Sequence, residues 1–229
     1  MLYAPAPTTV SPVAAHRWRA LVALYAILLT ALVGRVVFTA WEPPFDGTIR
    51  YDEIRPIVDA YWPMNLYLGG PAYLVGFVAT AVFVVFLARG RTAVVTLVGA
   101  ALIGLGGTVF ALVITAETLP FAYAADPAVL PEAEGRALFD VLNAHLDLLL
   151  PALVGGMAAV AFGVLLVLVA AGISRALPRW FVVVGLVYLV LFVVLPPDPP
   201  RPVAMAMYLV EVAFLAGLGW FGRRAARAE

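Results

Sequence analysis

Long apolar runs separated by polar segments dominate the chain. An apolar run of about 20 residues can cross the hydrocarbon of a bilayer as a helix, because a helix satisfies its own backbone hydrogen bonds. The pattern predicts six such spans, at about residues 20–40, 68–88, 93–117, 147–172, 179–196 and 203–221. Two connecting loops, RGR and SRALPR, are short, so neighbouring spans should pack as antiparallel hairpins. The expected fold is all-α, a polytopic membrane bundle of six transmembrane helices.

The polar segments divide the rest of the chain. Residues 1–16 are expected to form a disordered cytoplasmic tail, residues 17–222 the six-helix domain, and residues 223–229 a basic cytoplasmic tail. The loop at 41–67 mixes aromatic, Pro and charged residues, and could lie on the outer membrane surface as a partial lid. The second half of the acidic loop at 122–145 could run as a helix straight into the fourth span.

The composition agrees with an integral membrane protein. Hydrophobic residues make up 64% of the chain and charged residues 12%, whereas a soluble domain is usually about half apolar and about a quarter charged. All fourteen basic residues are Arg and the formal net charge is zero, which excludes a basic nucleic-acid-binding protein. The absence of Cys and Lys excludes disulfides, thiolate metal sites and Schiff-base chemistry. We therefore expect membrane lipids, and no nucleic acid, as partners.

The positions of the Arg residues predict which way the bundle faces, because basic residues are retained on the cytoplasmic side of a membrane. If both termini lie inside, the outer loops hold only Arg50, Arg55, Arg136 and Arg201. The cytoplasmic segments then hold the larger group, which comprises Arg17, Arg19, Arg89, Arg91, Arg175, Arg179, Arg223, Arg224 and Arg227. We expect a multi-pass protein of the plasma membrane with both termini in the cytoplasm.

Several ionisable residues lie inside the predicted spans or at their edges. They are Arg35, Glu117, Asp147 and Glu211, with His145 just before the fourth span. A charge near the bilayer centre costs about 2.5 kcal/mol or more, so such groups normally face protein or water. At a rise of about 1.5 Å per residue, all of them fall in the outer half of the membrane, and Glu211 lies deepest. They could therefore converge on one outward-facing cavity.

Each of these residues also has a purely structural interpretation. The long stem of Arg35 can carry its guanidinium toward the outer interface without any partner. Glu117, His145 and Asp147 can be ordinary polar residues near helix ends. Glu211 can be a structural carboxyl that bonds to another helix, and it is expected to be protonated unless Arg35 or another donor pairs with it.

Tyr208 joins this set because it lies one turn from Glu211 on the same helical face, nearer the outer side. It can line the same cavity or simply pack. The candidate catalytic carboxylates are then Glu211, Glu117 and Asp147, and the candidate ligand contacts are Arg35, His145 and Tyr208.

We expect no metal, cofactor or serine nucleophile. Zinc would need three or four ligands from His, Asp or Glu, and only His145 is well placed, since His16 lies on the predicted tail. Ser11 and Ser174 are the only Ser residues, and both fall on the cytoplasmic side.

Small residues and one Pro bear on packing within the spans. The stretch GAALIGLGG and the pair Gly155-Gly156 favour close helix packing over a phosphate loop. Pro151, early in the fourth span, is expected to kink or locally unwind that helix.

Three segments carry a resemblance to a known family. They are ISRALPRWFVVVGLVYLV, LNAHLDLLLPALVGG and YLVEVAFLAGLGWFGRR. In their short Leu-Pro-Arg turn, their His before the fourth span and their Glu in the last span, they resemble the bacterial six-helix membrane proteins of the domain of unknown function 4386 family. The likeness covers nearly the whole chain, but this chain has Gly-Arg-Arg where a Lys-Gly-like ending is commoner. The resemblance implies the fold and no activity, and Glu117, His145 and Glu211 match the polar pattern of the family.

Three classes of function remain open. In the first, the protein binds or passes a small apolar or weakly polar molecule in an outward-facing cavity, with Glu211 and Arg35 as polar contacts. In the second, it is a membrane-embedded enzyme that uses carboxylate general acid chemistry, similar to a terpenoid cyclase or a lipid hydrolase. In the third, it is an accessory or assembly subunit of a membrane complex. A homo-oligomer is compatible with all three.

Overall fold

Helices make up almost all of the described structure. The computed structural model describes residues 12–43, 45, 47–195 and 200–227, with side chains from residue 16 onward. No strand occurs among these residues. The α-helices are α1 (Pro12–Trp41), α2 (Tyr51–Ile54), α3 (Val58–Met64), α4 (Gly70–Val85), α5 (Ala93–Ala125), α6 (Glu132–Ala144), α7 (Leu150–Ser174), α8 (Arg179–Val194) and α9 (Arg201–Arg227).

Among the described residues, five helical stretches are long and apolar enough to cross a membrane. They are His16–Trp41, Tyr51–Val85, Gly90–Ala125, Leu150–Ser174 and Arg201–Arg227. The span predicted at 179–196, the fifth along the chain, corresponds to α8, which is apolar but has only 16 residues. At about 1.5 Å per residue α8 is about 24 Å long, which is shorter than the roughly 30 Å of a typical hydrocarbon core. The fold is thus an all-helical bundle with five candidate spans and one shorter apolar helix.

The segments before and between the spans are more helical than the sequence pattern indicates. Helix α1 begins at Pro12, within the predicted tail, and residues 1–11 of that tail lie outside the described residues. Most of the predicted loop at 41–67 is helical, because α2, a 3-10 turn, α3 and a π-helical turn at Asn65–Gly69 run continuously into α4.

The predicted helix that leads into the fourth span is present, but it does not run straight into it. Helix α6 ends at Ala144, a 3-10 turn follows at Leu146–Leu148, and α7 begins at Leu150. Pro151 lies in the first turn of α7, where its missing N–H is tolerated. An uninterrupted helix would bring the Pro151 ring against the carbonyl of Asp147, so the chain breaks before the proline instead of kinking at it.

Five helices form a ring. Helix α4 packs against α5, α5 against α7, α7 against α8, α8 against α9, and α9 against α4. Helix α1 lies outside this ring, where it contacts both α4 and α9. Fully buried side chains such as Phe83, Ile103, Leu168 and Leu218 fill the middle of the bundle. Helix α8 is the most peripheral member, since only Phe181, Gly185 and Tyr188 of it are buried.

A second apolar cluster caps the end of the bundle at which α1 finishes, which we call the Trp41 end. Tyr51, Phe121 and Phe139 bring α2, the last turns of α5, and α6 together. The Asn143 side chain exchanges two hydrogen bonds of 2.9 Å with the backbone of Ile49. Arg136 donates to Asp52 at 2.5 Å and stacks over the Tyr51 ring. The segment before α4 is therefore held against α5 and α6.

The outside of the bundle is apolar. Large aliphatic side chains on the long helices are more than half exposed, and they include Val33, Val94, Leu105, Leu112, Ile173, Val183 and Val193. Soluble proteins rarely expose contiguous apolar surface on this scale, whereas lipid-facing surfaces require it. The surface therefore agrees with the membrane class that the composition indicates.

The contact between α5 and α7 depends on residues without side chains. A Cβ atom added to Gly99 would lie 2.7 Å from the Gly163 carbonyl oxygen, and one added to Gly106 would lie 2.6 Å from that of Gly156. A Cβ on Gly156 would in turn lie 2.9 Å from the Gly106 carbonyl oxygen. The two backbones approach closely along these turns, as small residues at membrane helix interfaces allow. Close packing is thus confirmed for Gly99, Gly106 and Gly156, whereas a Cβ on Gly155 would meet nothing within 4 Å.

We expect Gly156→Ala to destabilise the bundle, because the added methyl group must push the α5 and α7 backbones apart. The adjacent Gly155 is the matched control, since a Cβ there has nothing within 4 Å. Gly155→Ala should be neutral or stabilising by up to about 1 kcal/mol, because Ala is the better helix former. Thermal unfolding of the purified variants in one detergent tests this, and equal melting temperatures would contradict the close backbone contact.

Candidate functional site

A cavity of about 690 Å³ lies inside the ring of helices, and we call it the main cavity. This volume falls in the range of about 300–1,000 Å³ that is typical of small-molecule sites. Its walls are mostly apolar, and they are formed by Phe77, Phe110, Met157, Val160, Ala161, Val164, Leu189, Phe192, Val193, Met207, Phe214 and Leu215 among others. The polar lining is confined to Arg35, Tyr73, Tyr188, Tyr208 and Glu211.

An ion pair between the first and last helices is the centre of this polar lining. Arg35 of α1 is buried, with 1% of its side chain exposed, and its Nη2 donates to Oε1 of Glu211 on α9 at 2.5 Å. The Tyr188 hydroxyl of α8 donates to Oε2 of the same carboxylate at 3.3 Å. Glu211 keeps 23% of its side chain exposed, on the cavity side of the pair. Three helices thus meet at one carboxylate.

Aromatic rings surround the Arg35 guanidinium. Its central carbon lies 4.3 Å from the centre of the Tyr73 ring, 4.7 Å from that of Phe77 and 5.4 Å from that of Tyr208. Gly76 makes room for the stem, because a Cβ there would lie 3.4 Å from the Arg35 Cδ atom. Desolvated cation–π contacts stabilise a buried guanidinium by about 2 kcal/mol or more. The rings and Glu211 together explain how this charge is buried.

Several donors of the cluster have no acceptor. Within the described residues, Nε and Nη1 of Arg35 are buried without a hydrogen-bond partner, and so is the hydroxyl of Tyr208. The Tyr208 hydroxyl lies close enough to that of Tyr73 for the two to interact, although not at the geometry of a well-formed hydrogen bond. The Tyr73 hydroxyl instead shares a hydrogen bond of 3.3 Å with Thr39. Some hydrogen-bond donors of the cluster therefore have no protein acceptor.

A smaller cavity of about 280 Å³ lies toward the Trp41 end, and we call it the cap cavity. It is lined by Glu42, just past the end of α1, and by Glu117 of α5. Burial, followed by the nearby charge of Glu117, raises the pKa of Glu42 to about 7. Tyr73, Phe110 and Met157 line both cavities, so one layer of side chains separates them.

The structure brings three of the six candidate site residues together. Arg35, Tyr208 and Glu211 all line the main cavity. Glu117 lines only the cap cavity, and it is therefore one layer of side chains away from them.

His145 and Asp147 are exposed and line neither cavity. The His145 Nδ1 atom lies 2.7 Å from the Val141 carbonyl oxygen of its own helix. Among the described residues, no group of three or more His, Asp or Glu side chains could hold a metal ion.

Two residues of the site were not singled out by the sequence. Tyr73 stacks on Arg35, and Tyr188 donates to Glu211. The available sequence signal was a Tyr inside an otherwise apolar run, because the hydroxyl of a buried Tyr needs a hydrogen-bond partner. Tyrosine is also a common packing residue, so that signal alone does not separate these two from Tyr25, whose hydroxyl bonds to the Ala216 backbone oxygen.

Comparison of the chain with protein-family models, with curated proteins and with solved structures gave no match. The resemblance to the domain of unknown function 4386 family therefore stays a prediction. The function must be argued from the site itself.

We expect Arg35→Met to reduce the free energy of unfolding by up to about 3 kcal/mol, because it leaves the Glu211 carboxylate without its cation. Adding Glu211→Gln to Arg35→Met should recover much of that loss, since Gln carries no charge and still offers Tyr188 an acceptor oxygen. Thermal or denaturant unfolding of the wild type, both single variants and the double variant measures this coupling.

The exposed ion pair between Arg136 and Asp52 serves as the control. Arg136→Met should change stability much less than Arg35→Met, because water screens an exposed pair. Additive effects of the two changes at Arg35 and Glu211 would contradict a direct ion pair.

Proposed function

We propose that the protein binds a small apolar or weakly polar molecule in the main cavity, or passes such a molecule across part of the membrane. The observation that carries this proposal is the cavity itself: about 690 Å³ of mostly apolar space with one polar cluster on its wall. Ligand sites combine these two features, since apolar walls supply affinity and a few polar groups fix the orientation.

The site gives less support to general acid catalysis. Both oxygens of Glu211 are engaged by protein groups, one by Arg35 and one by Tyr188, so neither is free to act on a bound molecule in the observed arrangement. Glu117 and Asp147, the other candidate carboxylates, do not line the main cavity. We therefore place ligand binding ahead of an enzyme or an assembly subunit.

We also propose that α8 is a sixth span and that both termini lie in the cytoplasm of a bacterial cell. This arrangement puts the Trp41 end and both cavities in the outer half of the plasma membrane. It is supported by the Arg residues, which cluster at the opposite end of the bundle, on positions such as Arg89, Arg175, Arg179 and Arg224.

The cysteine-free chain allows a direct test of this arrangement, since an introduced Cys is the only thiol. Arg179 and Arg201 are exposed; Arg179 begins α8, and Arg201 begins α9 beyond the other end of α8. In intact cells, a membrane-impermeant maleimide should label Arg201→Cys, and it should label Arg179→Cys only after lysis. Labelling of both from outside, or of neither, would show that α8 does not cross the membrane.

Filling the main cavity should block binding. Ala161 lines the cavity on α7, so Ala161→Trp places an indole in the space that a ligand needs. We expect this variant to bind the apolar fluorophore 1-aminoanthracene at least about tenfold more weakly than the wild type. The measurement is a fluorescence titration of the purified protein, with protein-free micelles as the blank.

The matched control is Ala158→Trp, because Ala158 lies on the same helix, is exposed and lines neither cavity. This variant should bind the fluorophore as the wild type does. The proposal fails if saturable binding is absent from the wild type, or if Ala161→Trp leaves it unchanged while the protein stays folded.

A further inference from the structure

The end of the bundle opposite the Trp41 end, which we call the Arg end, carries a cluster of positive charge. Arg19 of α1 and Arg223, Arg224 and Arg227 of α9 lie there, and all of them except the partly buried Arg223 are exposed. No Asp or Glu lies at this end in the part of the chain that the structure describes. A cluster of one sign without compensating charges attracts a partner of the opposite sign.

Aromatic rings hold two of these guanidinium groups in place. The central carbon of Arg223 lies 4.4 Å from the centre of the Trp220 ring, 4.8 Å from that of Tyr25 and 5.3 Å from that of Trp18. The central carbon of Arg227, one turn further along α9, lies 4.9 Å from the centre of the Trp18 ring. These five residues of α1 and α9 form one group, which we call the Arg223 site.

The Tyr25 ring under Arg223 is itself anchored. Its hydroxyl donates to the Ala216 backbone oxygen at 3.3 Å. Gly219 leaves room for the ring, because a Cβ there would lie 3.2 Å from the Tyr25 Cε2 atom. The Arg223 guanidinium therefore rests on a fixed surface, and a preorganised group loses less entropy when it binds a partner.

Stacking leaves the hydrogen-bonding edges of these guanidinium groups available. A ring covers a face of the guanidinium, whereas the N–H groups point outward in its plane. No described residue accepts a hydrogen bond from Arg223 or Arg227. The Nε atom of Arg223 is buried, but its Nη1 and Nη2 atoms retain accessible surface, and Arg227 is exposed. Such edges match the oxygens of a phosphate group, which guanidinium binds with two parallel hydrogen bonds.

The position of the Arg223 site indicates where a phosphate group would come from. Helices α1 and α9 are both candidate spans, and the site lies in their terminal turns, where a span meets the head groups of lipids. Trp220 is 40% exposed, and Trp rings near span ends favour this interface. None of the five residues lines the main cavity or the cap cavity. A lipid of the surrounding bilayer is therefore the nearest source of phosphate.

We propose that the Arg223 site binds an anionic phospholipid, such as phosphatidylglycerol, through its phosphodiester group. The Nη atoms of Arg223 and the guanidinium of Arg227 donate hydrogen bonds to the phosphate oxygens. The acyl chains lie along the apolar outer surface of α1 and α9. The positive charge of the Arg end favours a lipid with a net negative charge over a zwitterionic one.

Three additives test this proposal on the full-length protein in a neutral detergent. Dioleoyl-phosphatidylglycerol is anionic, dioleoyl-phosphatidylcholine has the same chains and phosphodiester without a net charge, and inorganic phosphate has no chains. Titration of the melting temperature with each additive gives its relative affinity, because a ligand that binds only the folded state stabilises it. We expect the phosphatidylglycerol to bind at least about tenfold more tightly than the phosphatidylcholine. Phosphate at the same concentrations should have no effect.

Substitutions within α9 test whether the stacked residues form the site. Arg223→Gln and Arg227→Gln should each weaken phosphatidylglycerol binding about fivefold, because each removes one cation beside the phosphate. Arg227 is exposed, so its variant keeps the test valid if Arg223→Gln does not fold. Arg224→Gln is the matched control, since it removes the same charge from the same turn but Arg224 is exposed and no described ring lies over it. It should weaken binding less than about twofold.

Each of the other outcomes would overturn the proposal. An equal loss with Arg224→Gln would show that the charge of the Arg end attracts lipid without a defined site. Equal binding of the two lipids, or no binding of either, would show that the site does not select an anionic lipid. Stabilisation by phosphate alone would identify a soluble phosphate as the ligand. Ala161→Trp should leave phosphatidylglycerol binding unchanged, so this proposal and the proposed function are tested independently.

Discussion

The buried charge of Arg35 is the constraint on which the rest of this structure depends. A guanidinium inside an apolar bundle is unfavourable unless several groups compensate it, and here the compensation comes from three other helices. Glu211 of α9 supplies the opposite charge, while Tyr73 and Phe77 of α4 and Tyr208 of α9 supply aromatic faces. Tyr188 of α8 then bonds to the same carboxylate. The pair therefore fixes how α1, α4, α8 and α9 lie around the main cavity.

Packing divides the bundle into a dense side and an open side. On the dense side, α5 and α7 approach so closely that their contact admits no side chain at Gly99, Gly106 or Gly163. On the open side, α8 buries few residues and closes the main cavity with Tyr188, Leu189 and Phe192. If the whole interior were packed as densely as the contact between α5 and α7, there would be no room for a ligand. The small residues on one side and the large side chains on the other are thus both needed to form the cavity.

Much of the fold could be predicted from the sequence, because the backbone of a long apolar run satisfies its own hydrogen bonds in a membrane by forming a helix. Depth along a helix is also readable, and of the residues that it grouped, Arg35 and Glu211 line the main cavity; Tyr208, which was added because it lies one turn from Glu211, lines it too. The direction in which a side chain points around its helix is not readable without the packing partners. Glu117 lies toward the same Trp41 end of the bundle but faces the cap cavity, and Asp147 is exposed where the chain breaks before Pro151. The roles of Tyr73 and Tyr188 depend on tertiary contacts that no local pattern encodes.

The separation of Arg35 and Glu211 along the chain has a consequence for biosynthesis. The two residues are 176 positions apart, and a ribosome adds about 5–20 residues per second. Arg35 therefore precedes its partner by about 9 to 35 s of synthesis. During that interval its long side chain must reach the lipid–water interface or another temporary partner. The aromatic contacts with α4 are available early in synthesis, whereas the ion pair forms only once the last helix has been made.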